Sequence, residues 1–197
     1  DELLAALLGT SEINYACEQV LCSVVNKYPD KVINFFGHRY LHDRKLGEFY
    51  SELPYEFLVL KDFFRQDLSV FVDMVYGCWS SNDGLPLYFN SSLVSAVVRE
   101  PDENLTQTLR NMLKREGDPC VEFLVEILRG YEGQVVLHEL FKDLIEMLPV
   151  DSAVVQLLVQ ALESTGVVSG EFGLVEAYRR KKREIEVWQS DPREKVR

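Results

Sequence analysis

Histidines four residues apart share one face of a helix, and His38 and His42, with Asp43 close by, have the spacing that two zinc ligands need. A third ligand at a recognisable spacing is missing: no HExxH motif is formed, and His138-Glu139 runs on into Leu140-Phe141-Lys142. Surface histidines are the preferred reading, and no metal is expected. Cys17 and Cys22 stand five apart, neither a CxxC pair nor helical neighbours, with no His or Asp near in sequence to activate a thiol. They read as core packing. The chain also lacks a phosphate-binding GxxxxGK[ST] loop, a GxGxxG turn and a GxSxG elbow, and its many carboxylates are spread along helix faces. No catalytic residue and no cofactor is nominated, so the expectation is a non-enzymatic protein.

Two other groups are shaped for contact rather than catalysis. Arg179, Arg180, Lys181, Lys182 and Arg183 form the one strong charge run. From Glu171 onward the chain carries a balance of +2, whereas everything before it sums to −13, so the molecule is electrically polar. Such a run suits phosphates or an acidic partner; the plainer reading is a solvated outer helix with Glu176, Glu184 and Glu186 as partners one turn away. Aromatic residues crowd the first half, where 14 of 22 fall between Phe35 and Phe89, and most suit the gaps between helices. In "GEFYSELPYEF", however, Phe49, Tyr50 and Tyr55 surround Pro54 in an expected loop, and rigid aromatics so placed are candidate anchors for a protein partner.

The chain of 197 residues is 47% hydrophobic and 27% charged, the composition of a folded protein with a substantial core. With 21 basic against 32 acidic residues its formal net charge is −11, which opposes general attraction to nucleic acid and anionic membranes. Every apolar run falls far short of the roughly 20 residues that cross a bilayer. Four scattered cysteines do not make a disulfide framework and point to a reducing, cytoplasmic setting; the glycosylation patterns at Asn90-Ser91-Ser92 and Asn104-Leu105-Thr106 are discounted on that ground. The start, Asp1-Glu2-Leu3-Leu4, has neither an initiator Met nor a signal peptide, so a piece of a longer protein is expected.

Apolar residues recur at spacings of three and four almost throughout, and period-two alternation does not persist, so the fold class expected is all-α. In the second half, caps at Asp118, Asp151 and Asp191 open helices starting about 33 and 40 residues apart, the period of a two-helix repeat. The helix after Asp118 and that from Ala153 to Leu162 are nearly all apolar and read as inner. Those over Gln134 to Leu148, with His138 on the polar face, and from Gly170 to about Trp188 read as outer. Asp191-Pro192 reads as the start of a third inner helix, cut short. In the first half, helices are expected over Ser11 to Lys27, from Pro29 through Leu41, and near Tyr55–Gln66, Asp67–Trp79, Asn90–Arg99 and Asp102–Lys114.

These alternating helices, with Asp-Pro starts in "GDPCVEFLVEILRG" and "SDPREKVR", resemble repeats of the HEAT and armadillo type. The resemblance covers Asp118 to Arg197 well and Ser11 to Leu41 less fully. It implies an α-solenoid, here one domain over 1–197 with irregular, aromatic-rich repeats over 1–116 and regular ones over 117–197, the last truncated. It also implies a scaffold that contacts a protein partner or neighbouring domains of a parent chain. The alternative is a nucleic-acid-contacting module that uses Arg179 to Arg183.

Overall fold

The computed structural model describes residues 2–10, 12–46, 57–82, 84–165, 169–170 and 172–197, with side chains left undescribed over 43–46. Phe49, Tyr50 and Tyr55, the aromatic candidates, lie outside the described residues. Among those described there is no strand, and eleven α-helices account for most of the chain. They fall into two compact units, Asp1–Glu100 and Pro101–Arg197.

The first unit holds α1 (Glu2–Leu8), α2 (Tyr15–Val25), α3 (Pro29–Leu46), α4 (Leu60–Gln66), α5 (Leu68–Ser81) and α6 (Tyr88–Val97). Besides pairing with chain neighbours, they touch in two alternating series: α1 with α3 and α3 with α5, and α2 with α4 and α4 with α6. The seam is filled by Leu21, Ile33, Phe36, Phe57, Phe64, Phe71 and Phe89, all fully or almost fully buried. Phe36 meets Phe57 with centroids 5.0 Å apart, and Phe64 meets Phe71 at 4.9 Å. At Gly37 a Cβ would stand 2.8 Å from the Cys78 sulfur, so the missing side chain lets α3 and α5 close up.

Two short helices of this unit are too brief to be stable alone and borrow charges from their neighbours. α4 has no side-chain cap of its own. Glu18 of α2, buried, supplies one: its carboxylate accepts the amides of Leu58 at 3.1 Å and of Val59 and Leu60 at 2.7 Å each. At the opposite pole of α1, buried Arg39 donates through Nη1 to the carbonyls of Leu7 and Leu8, at 3.3 Å each. An anion at an N-terminus and a cation at a C-terminus both complement the helix dipole. Asn90 is also fully buried and its amide finds no partner among the described residues, so this glycosylation acceptor is inaccessible in the folded chain.

The second unit contains α7 (Glu103–Glu116), α8 (Val121–Gly130), α9 (His138–Met147), α10 (Ala153–Glu163) and α11 (Gly173–Glu186). Here too alternate helices touch, α7 with α9 and most extensively α8 with α10. α8 is the inner helix expected, burying Val121, Phe123, Leu124, Val125, Ile127 and Leu128. α10 is less enclosed, burying Leu158, Ala161 and Leu162 and leaving Val159 42% exposed.

Several expected starts are corrected. Asp118 lies within a 3₁₀ turn (Asp118–Cys120) and makes no capping bond to α8. Ser152, not Asp151, caps α10 by accepting the Val154 amide. Over residues 191–197 the chain forms no α-helix. Asp191 instead accepts the Arg193 amide two residues on, an Asx-type turn that competes with helix initiation, and only a 3₁₀ turn (Glu194–Val196) follows. That segment lies back on α9, where Lys195 donates to the carbonyls of Glu146 (2.8 Å) and Leu148 (2.9 Å) at the end of the helix. The series of alternate contacts, rather than a repeat opening at Asp191, now carries any likeness to a helical array.

Candidate functional site

Helix α11 folds as an amphipathic helix with an unusually narrow buried stripe: only Ala177 and Lys181 are buried along its length. Lys181 therefore leaves the expected solvent-facing run. Its ammonium donates to the carbonyls of Glu132 (2.8 Å) and Gly133 (2.6 Å), in the turn between α8 and α9. Both residues of that turn have positive φ, 52° and 61°, which aims successive carbonyls at one point. Glycine is required at 133 for a second reason, since a Cβ there would stand 2.6 Å from the Ala161 carbonyl oxygen. Burial pulls the Lys181 pKa below that of an ordinary lysine.

The other four members of the run, Arg179, Arg180, Lys182 and Arg183, are exposed. Arg180 reaches Glu184 at 3.8 Å and Lys182 reaches Glu186 at 3.7 Å, long exposed pairs that hold their cations loosely. Arg179 and Arg183 stand one turn apart, and among the described residues neither has a carboxylate within ion-pair distance. Two unpaired like charges at this spacing repel by about 0.2–0.5 kcal/mol. They line an open groove of about 830 Å³ together with Thr165, Ser169, Glu176 and Glu186.

Apolar side chains sit beside these cations. Phe172, Leu174, Val175 and Tyr178 are 64%, 51%, 48% and 53% exposed, the densest group of exposed large hydrophobic residues among the described residues. Leu174 and Tyr178 are one turn apart, as are Val175 and Arg179, so the apolar turns lead directly into the cationic ones. Sequence reasoning nominated the cations and missed these four. The signal was present in "FGLVEAYRR", where apolar residues fall outside the stripe that Ala177 and Lys181 define, but that stripe is legible only once the buried face is known.

The helix is set in place just beyond its end. Trp188, in a 3₁₀ turn (Val187–Ser190), is buried, and its Nε1–H donates to Nδ1 of His138 at 3.3 Å. His138 is buried too, a correction to its expected place on the polar face of α9. Burial lowers the His138 pKa, against raising contributions from the Gly133 carbonyl and Glu184. Lys142 lies 5.4 Å over the Trp188 ring.

Next to it an ion network fastens the end of the chain. Arg193 bridges Asp143 (2.8 Å), Glu139 (3.1 Å) and Asp191 (2.8 Å), and Arg110 of α7 takes the other Asp143 oxygen at 2.7 Å. The hydrogen bond from Arg193 holds the Asp191 carboxyl well below the usual carboxylate range, and Asp191 in turn raises Arg193. Every charge here is matched, so the network is a fastening and not a reactive centre.

The remaining candidates lie on α3 and α2 of the first unit. His38 is exposed and His42 half-buried, and among the described residues no group of three His, Cys, Asp or Glu is placed to hold a metal. Cys17 and Cys22 are half-buried, while burial pushes the Cys78 and Cys120 thiols up to about 11, which suppresses the thiolate. No helix among the described residues is long and apolar enough to cross a membrane. The chain matches no family model, and neither a similar curated protein nor a similar solved structure was found.

Proposed function

We propose that this chain is a non-enzymatic helical scaffold, built of HEAT-like hairpins, that makes contacts with another protein or with neighbouring domains of a parent chain. The solenoid part of this reading is supported by the contact series α1–α3–α5 and α2–α4–α6 in one unit and by α7–α9 and α8–α10 in the other. Packing each helix on the one two places along is what stacked hairpins require. The four free cysteines favour a reducing, cytoplasmic setting.

The observation that carries the contact function is the exposed side of α11, where Leu174, Val175 and Tyr178 stand beside Arg179 and Arg183. Tyr, Phe and Arg are the side chains enriched at protein interfaces, and this helix surface mixes them. The test is selection from a peptide-display library against the whole chain. Enriched peptides that bind and are not turned over support a contact module; a library that yields no binder removes the reading. The aromatic candidates enter the same experiment: loss of a selected binder on Phe49→Ala, Tyr50→Ala and Tyr55→Ala would put the contact there.

A further inference from the structure

We infer that the outer side of α11 seats an acidic amphipathic helical segment of a partner protein, with apolar side chains on Val175 and Tyr178 and carboxylates on Arg179 and Arg183. This rests on the contact-module reading and names the chemistry of the partner. Successive turns of α11 present Val175, then Tyr178 with Arg179, then Lys182 with Arg183. These rungs are about 6 Å apart, four residues at 1.5 Å of rise. A partner helix offers side chains at the same pitch, so an apolar residue followed one and two turns later by Asp or Glu keeps register along all three rungs.

Charge decides the sign of the partner. Arg179 and Arg183 make no ion pair with a carboxylate among the described residues, and an incoming anion would ease the like-charge repulsion between them. Nucleic acid would bring anions too, but a phosphate backbone would leave the exposed Val175 and Tyr178 facing water. A carboxylate-bearing segment with an apolar edge satisfies both halves of the surface.

The probe is a fluorescein-labelled helical peptide of leucine, alanine and glutamate with this spacing, titrated by anisotropy against the whole chain. A scrambled peptide, a glutamate-only peptide and a short DNA duplex serve as comparators. The spaced peptide should bind best; Arg179→Glu with Arg183→Glu should weaken it by about tenfold or more, the equivalent of one lost charge-assisted contact, and Tyr178→Ser alone by about tenfold through lost apolar burial. These residues are exposed, so circular dichroism of the variants should be unchanged. Equal binding of the scrambled or glutamate-only peptide overturns the inference, as does tighter binding of the duplex or no binding at all. If display-selected peptides bind but ignore the α11 substitutions, the contact module stands and this surface does not.

Discussion

The ammonium of Lys181 lies 2.6 Å from the carbonyl oxygen of Gly133. It joins α11 to the turn that follows α8, and the same device recurs elsewhere. Arg39 sits on the last carbonyls of α1, Lys195 on those at the end of α9, and Glu18 on the first amides of α4. In each case a charge from a distant part of the chain satisfies main-chain groups that the helix cannot satisfy itself, with the sign its dipole favours.

Replacing Lys181 with Met keeps the stem and removes the donor, leaving the buried Gly133 carbonyl and the part-buried Glu132 carbonyl without the ammonium. We expect a loss of about 2 kcal/mol from the stability of the second unit, the typical cost of stranding buried polar groups. Arg179→Ala, on the exposed side of the same helix, should change stability by less than about 0.5 kcal/mol. Urea unfolding of the two variants measures the contrast, and equal effects would show that Lys181 is no anchor.

His138 makes the second unit sensitive to mild acid. Its pKa is lowered in the folded chain, chiefly by burial, so the unfolded chain takes up the proton first as pH falls. Stability is therefore greatest above the ordinary histidine pKa of about 6.5 and declines below it until the folded-state value is passed. Protonation also removes the lone pair on Nδ1 that accepts the Trp188 N–H. Denaturation followed by Trp188 fluorescence in a Trp79→Phe background should give a lower midpoint at pH 5.5 than at pH 7.5. His138→Gln should flatten that difference, and a midpoint that does not move with pH refutes the account.

Glu18→Ala strands three amides at the start of a seven-residue helix. A cost of about 2–3 kcal/mol is expected, since the lost bonds are charge-assisted and buried, while Glu18→Gln retains an acceptor and should lose less. Hydrogen exchange at Leu58, Val59 and Leu60 reads the effect directly. Unchanged protection of these amides in the Ala variant would mean that the carboxylate does not hold α4.

Helix identity was largely legible from apolar spacing and from caps of the ordinary kind. Asp67 and Asp102 stand where the spacing puts them and accept the amides of Val70 and Leu105. The Asp-Pro steps misled because an aspartate oxygen serves a cap only if nothing nearer claims it, and at Asp191 the Arg193 amide and guanidinium both do. Lys181 and Glu18 were illegible for a related reason. Their partners are peptide groups, present at every position, so no residue type marks where a charge will be buried. The basic run was visible as a run, but which members reach solvent depends on where α11 rests.

Along α11 the enclosed hydrocarbon is slight: Ala177 within the helix and Trp188 just past it. The rest of its attachment is directional, through the Lys181 ammonium, the indole N–H and the guanidinium of Arg193. Lifting the helix alone, with Trp188 left in place, would wet little oily surface, so such an opening would carry a small heat-capacity change and a shallow urea dependence while breaking the enthalpic contacts of Lys181.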